Sequence, residues 1–339
     1  AFRWDHYLAP KLLNKLLSKG IVARVAKKPF TSTIGQKNLS FNAGTIVIPQ
    51  GLQTLDNWLD ILVSAQQTTD IELFALNSGL SEGINLGSPS IKALAPIKVM
   101  LLGGQGISQY EAGHMLYYLD KQLEIPVSIV DIYRLPKVDL SSYTHIILVD
   151  GTYKNLPAGT SDKLEHWLKN GGTIYAQKRA LKYLASKSLL EATFTSKSEL
   201  NRAFNTRGLE YHDHTELGAK KLIAGTIFNS EIDLSHPLTF GYNKDTLPVF
   251  KNSTVIMAQP SKPFLSVARY QNDPLLSGYV AEELLDKVSG NAAIIAHNVG
   301  KGRVIASDNN LVFRGYWQGG SKIVANALFF SKAFSASND

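Results

Sequence analysis

The 339-residue chain contains no cysteine. That absence excludes disulfides, thiolate metal sites and a cysteine nucleophile together. It also accords with an oxidising compartment, where a stray thiol is a liability. No run of about 18 apolar residues occurs, so no segment reads as a membrane-spanning helix. Gly-x-Ser-x-Gly is missing, which leaves a serine hydrolase nothing to build on. His-x-x-Glu, the spacing of a zinc peptidase, is missing as well. Long basic tracts are also lacking. The 35 Lys and Arg outnumber the 28 Asp and Glu by seven charges, yet the lysines are scattered, with pairs at Lys27-Lys28 and Lys220-Lys221. Without regular interleaving of aromatics, this basicity reads as a dispersed, solvated surface rather than a nucleic-acid interface. Ala1 is preceded by no initiator Met and followed by no signal peptide, as expected if a leader or larger upstream region has been removed.

What is present is an ordinary globular composition, 44% hydrophobic and 19% charged. The length fits two domains, or one large domain with an appendage. Residues 5–19 carry Leu8, Leu12, Leu13, Leu16 and Leu17 at helical spacing, and Gly20 stands where a C-terminal cap belongs. Strands are expected at 21–26, 45–48 and 71–76, with a helix over 55–65. This is a small α/β unit, residues 1–95, that opens on a helix. A parallel sheet would need a strand before that helix, so the pattern predicts that its first strand is missing. The Gly/Ser/Pro-rich stretch 77–96 is the expected boundary.

A second α/β pattern follows over 96–339. Strands are expected at 97–102, 127–131, 145–149 and 173–176. Helices are expected at 109–123 and 163–169, the latter with Asp162 and Glu165 at capping-box spacing. Alternation of this kind implies a doubly wound, mostly parallel sheet. Beyond Leu190 the pattern loosens, with strands expected at 222–228, 264–269, 291–297 and 303–307 and a closing helix at 322–332.

Ligands of open α/β sheets bind outside the carboxyl ends of the strands, and three loops fall there. The first, Gly103-Gly104-Gln105-Gly106, leads past Tyr110 and Glu111 into a helix bearing His114. Its glycines permit close backbone approach, and it reads either as an anion site or as a tight strand-to-helix turn. The second, Ala176-Gln177-Lys178-Arg179-Ala180, is a nucleophile elbow whose centre is Lys178 and whose flanking glycines are replaced by alanine. The polar neighbours of Lys178 predict solvent exposure and a degenerate elbow. The third runs from Asp308 to Arg314 and Trp317. Tyr211-His212-Asp213-His214 has some metal-ligand character if extended, but reads more simply as a surface loop. His6, His145, His166, His236 and His297 are isolated and read as structural.

Six stretches then act as a set: Phe41–Pro49; Leu86-Gly87-Ser88; Gly103–Ser108 with Tyr110–Gly113; His236-Pro237-Leu238; Gly300–Ile305; and Phe313-Arg314-Gly315 with Asn326–Phe330. Together they cover most of the chain and resemble the C-terminal portion of large secreted bacterial zinc carboxypeptidases. In those proteins a carboxypeptidase A-like domain is followed by a class I glutamine amidotransferase-like domain. The resemblance implies an amidotransferase-like, flavodoxin-like fold for 96–339, and a secreted or periplasmic location. It also implies a non-catalytic accessory role: stabilising or positioning an upstream peptidase domain, or binding its substrate. Zinc is then expected only in that peptidase domain, since His214-Thr215-Glu216 has the wrong spacing and no peptidase residue is found here. The amidotransferase nucleophile is equally missing.

Two other readings remain open. A peptide- or glycan-binding module would line its cleft with Tyr110, Arg179, Arg314 and Trp317. A divergent hydrolase would need Glu111, His114 and Asp308 within hydrogen-bond reach of one another. Gln105 and Lys178 complete the candidate cleft residues.

Overall fold

The computed structural model describes residues 1–154 and 156–334, so the end of the expected 96–339 unit lies outside the described residues. Helix α1 (Ala9–Ser18) buries Leu12, Leu13, Leu16 and Leu17. It stops at Gly20, which takes φ +82°. There the Gly20 and Ile21 amides donate to Leu17 and Leu16, satisfying carbonyls the helix leaves open. Strands β1 (Arg24–Ala26), β2 (Phe30–Ile34), β3 (Lys37–Phe41) and β4 (Ile46–Val47) follow, then α2 (Trp58–Gln67) and β5 (Ile91–Ala93).

This first unit departs from the expected parallel arrangement. Its sheet has the order β4-β1-β5 and both pairings are antiparallel. An antiparallel sheet needs no strand ahead of α1, so the premise for a missing first strand falls. Residues 71–76 form no strand; instead Phe74 and Ala1 exchange backbone hydrogen bonds of 2.7 and 2.8 Å. The stretch expected as a linker supplies β5. The β2–β3 hairpin, closed around Gly35 at φ +61°, adds two strands beyond those expected from the sequence.

The second sheet begins with β6 (Val99–Gly103), β7 (Val127–Asp131), β8 (His145–Leu148) and β9 (Thr173–Gln177), with α3 (Gln109–Leu116) and α4 (Thr160–Lys169) between them and α5 (Arg179–Ser186) after β9. Helix α3 runs on into a π-helical segment, Tyr117–Gln122. Helix α4 starts after Gly159 with no side-chain cap, so Asp162 and Glu165 lie inside it and form no capping box. After α6 (Lys197–Ala203) and α7 (His214–Lys220) come β10 (Thr226–Ile232), β11 (Thr246–Lys251), β12 (Ser266–Ser277), α8 (Glu282–Val288), β13 (Ala292–Val299), β14 (Gly302–Ser307) and α9 (Gln318–Phe329).

Nine strands pair in the order β11-β10-β12-β13-β14-β9-β8-β6-β7. The half from β7 to β14 is parallel. Numbered in chain order, those five strands lie 2-1-3-4-5, a doubly wound arrangement whose switch point falls between β6 and β8. Every residue of β6, β8 and β9 is buried, as expected of strands covered on both faces. The other half, β10 to β13, is antiparallel, so the sheet is mixed.

The two units share one apolar core, to which α1, Trp4 and Phe2 contribute beside the large sheet. Asn326 of α9 fastens them. It accepts from the Trp4 indole at 2.6 Å and donates to the Leu238 and Phe240 carbonyls at 2.8 and 2.9 Å.

Burial lowers the His145 pKa to about 3 and the His236 pKa to about 4, from 6.5. Both imidazoles therefore stay neutral in the fold while an unfolded chain protonates them. The unfolded state binds more protons across that window, so stability falls as pH drops from 6.5 toward 4. His236 Nδ1 accepts from the Leu238 amide at 3.1 Å. His236→Asn preserves an acceptor there without titrating, and denaturant unfolding at several pH values is expected to show a shallower acid slope for it.

Candidate functional site

The carboxyl end of β9 sets the geometry. Lys178, the next residue, adopts φ +54° and ψ −121°, a conformation that costs a non-glycine residue free energy, and α5 begins at Arg179. The sharp elbow is thus intact although its centre is a lysine. Ala176 and Ala180 are fully buried, so the packing accepts a methyl group at both flanking positions.

Contrary to the exposure expected from its neighbours, Lys178 is 1% exposed. Its ammonium forms an ion pair with Glu111 and a hydrogen bond to Asn252. The second Glu111 oxygen accepts from Gln177, which is buried as well. Arg179 faces outward, where it grips Asp150 through Nε at 2.8 Å and a second nitrogen at 3.0 Å. The polar neighbours of Lys178 therefore go to different partners, and neither pulls it into solvent.

Glu111 is delivered by the first turn of α3. Ser108 caps that helix, its hydroxyl accepting from the Glu111 amide at 3.4 Å. A carboxylate here is favoured by the helix dipole, and it meets the only cation that reaches it inside the protein among the described ion pairs.

The glycine loop after β6 serves the turn. A Cβ on Gly104, at φ +104°, would stand 2.4 Å from the Asp131 carboxylate. The loop then zips to the one after β8: Ser108 donates to the Asp150 carbonyl at 2.9 Å and Thr152 to Gly106 at 2.8 Å. The close backbone approach is to protein, and it closes the switch-point crevice. Gln105 is exposed on this loop.

Glu111, His114 and Asp308 form no relay. His114 Nδ1 accepts from Asn310 at 3.1 Å, and burial lowers its pKa, with Glu111 opposing and Lys178 and Arg314 reinforcing that shift. Asp308 is fully buried and paired with Lys251 at 2.7 Å, and the Tyr270 hydroxyl lies 2.7 Å from its other oxygen. Burial pushes Asp308 up and Lys251 down, and each charge counters the other's shift.

Nor do Tyr110, Arg179, Arg314 and Trp317 line one cleft. Tyr110 is 84% exposed. The Trp317 indole is turned to the Pro248 carbonyl at 3.3 Å. Arg314, in the left-handed region at φ +51°, lies over the ring of its neighbour Phe313. Arg179 alone of these lines the cavity beside the elbow.

Sequence reasoning missed Lys251, Tyr270, Asn252, Asn310 and Asp150. One signal was available: Lys251 follows Leu247 and Val249 on the inward register of β11, where a lysine demands a buried partner. His212 and His214 lie in a short 3-10 turn and the start of α7, so the extended pairing considered for them does not arise. Among the described residues no group of three or more His, Asp or Glu could hold a metal ion. No helix among them is long and apolar enough to cross a membrane.

No known family model matches the chain, and no curated protein does. Among solved structures it is similar to a ThuA-like protein from Parabacteroides merdae, at 13% identity and TM-score 0.48 over 72% of this chain and 92% of that one. A ThuA-like protein from Bacteroides uniformis gives 12% and 0.41 over 71% and 93%. A β-galactosidase from Bacillus circulans gives 12% and 0.36 over 68% of this chain and 30% of that one. Likenesses this distant carry no functional assignment.

Removing one member of a buried ion pair strands the other. Glu111→Leu and Lys178→Met are each expected to lower unfolding free energy by about 3–5 kcal/mol. The double variant should cost less than their sum by about 1–3 kcal/mol in urea unfolding. Simple additivity would mean the two side chains are not coupled.

Proposed function

We propose that this chain is a non-catalytic, glutamine amidotransferase-like region that accompanies a secreted zinc carboxypeptidase. In this reading it stabilises or positions the peptidase domain, or binds its substrate. The observation that carries the non-catalytic part is the elbow itself. Its central position holds an amine neutralised by a carboxylate and sealed from solvent. A lysine nucleophile must be able to present a neutral, accessible amine, and Lys178 offers neither access nor a neighbouring base that is uncommitted. The missing Glu111–His114–Asp308 relay gives the hydrolase reading no acid–base pathway.

The link to a carboxypeptidase rests on the set of matching sequence stretches. Several of them have structural duties that account for their residue types. Gly44, at φ +93°, lets the chain pass Phe240, where a Cβ would approach to 2.7 Å. Gly302 leaves room for the Leu168 carbonyl, 2.0 Å from where a Cβ would stand. These duties belong to a scaffold and need no reaction.

Purified chain is expected to release no C-terminal residue from peptides with zinc supplied, and no ammonia from glutamine. Zinc-dependent release by the chain alone would refute the non-catalytic reading. The reading frame upstream of Ala1 is expected to encode His-x-x-Glu with a later His and Glu, and a frame without them would sink the carboxypeptidase link.

A further inference from the structure

A cavity of about 390 Å³ near Trp4 and an apolar groove of about 750 Å³ beside Ala1 and Trp58 show no chemistry that selects an occupant. A third cavity does. It measures about 380 Å³ and lies between the loop after β8 and the outer side of α5, next to the elbow. Its walls are Gly151, Thr152 and the rings of Tyr153 and Tyr183, which stack with centroids 5.6 Å apart. Both tyrosines are at least nine-tenths buried, so they form a fixed floor. Around the rim stand Lys154, Arg179, Lys182 and Lys187.

The charge balance is one-sided. Arg179 is already neutralised by Asp150. Lys178, beneath, is neutralised by Glu111. Lys154, Lys182 and Lys187 have no ion pair among the described residues. Asp162 is near enough to act on the Tyr183 hydroxyl, which is itself 3.0 Å from Ser161, but it pairs with none of the rim cations. Lys182 is close enough to protein that burial lowers its pKa, and its ammonium sits 6.0 Å from the Phe194 ring centre. Long lysine stems add further apolar wall beneath the charged heads. The cavity adjoins the segments that follow β8 and β9, on the carboxyl-end side of the parallel strands. Its size falls within the range of about 300–1,000 Å³ usual for small-molecule sites.

We infer that this cavity binds a small organic oxyanion: a carboxylate or phosphate ester carried on a flat apolar body. The body lies against the Tyr153–Tyr183 floor, and the anionic group is held by Lys154, Lys182 and Lys187. The inference does not depend on the accessory role proposed above, because it concerns only this chain's own residues and uses none of the elbow chemistry.

Calorimetric titration of the whole chain tests it with four probes: hippurate, phenyl phosphate, inorganic phosphate and the neutral hippuramide. Hippurate or phenyl phosphate is expected to bind with Kd below about 1 mM, with inorganic phosphate and hippuramide at least about tenfold weaker. Binding of one organic anion and not the other identifies carboxylate or phosphate as the source. The triple variant Lys154→Gln, Lys182→Gln, Lys187→Gln keeps much of the aliphatic wall and should weaken binding about tenfold or more. Lys37→Gln, on the distant β2–β3 hairpin, should leave it unchanged. The inference is overturned if neither organic anion binds, if either control probe binds as tightly, or if the triple variant binds as well as the parent.

Discussion

A lysine ammonium enclosed at the end of a central strand is the constraint around which this half of the molecule is arranged. Taking that charge out of water is costly unless an opposite charge and further hydrogen bonds meet it. Glu111 supplies the charge from the first turn of α3, and Asn252 supplies an acceptor from just past β11. Three segments far apart in sequence must therefore converge on one point. The elbow's positive φ is what aims Lys178 at them. The same group that fixes these elements sits at the centre of the elbow, one residue past the end of β9.

A second buried pair, Lys251 with Asp308, repeats the pattern where the parallel and antiparallel halves of the sheet meet. Asp308 follows β14, the last parallel strand, and Lys251 ends β11 on the far edge. Tyr270, Asn309 and the Met257 backbone also hydrogen-bond this carboxylate. The lysine charges are close enough that Lys178 depresses Lys251. Each cation is thus held by its own carboxylate. A polar interior of this kind joins strands that lie far apart in the chain.

The location of unused charge differs accordingly. Inside the sheet's carboxyl end the ions are paired, whereas beside α5 three lysines flank a tyrosine-floored cavity without carboxylate partners among the described residues.

Local patterning determined a good deal. Leucines at helical spacing and a glycine with a positive φ defined α1 and its end, because both act over neighbouring residues alone. Continuous apolar runs gave β6, β8 and β9, and the lack of cysteine and of Gly-x-Ser-x-Gly removed whole classes of catalyst. Tertiary structure decided the rest. Antiparallel pairing of β1, β4 and β5 and of β10 to β13 rests on long-range hydrogen bonds that no local period records. The burial of Lys178 depends on a glutamate 67 residues earlier in the chain, and that of Asp308 on a lysine 57 residues away. The alternation of β11 could mark Lys251 as inward-facing, but which partner meets a buried charge is settled only by what the fold brings opposite it.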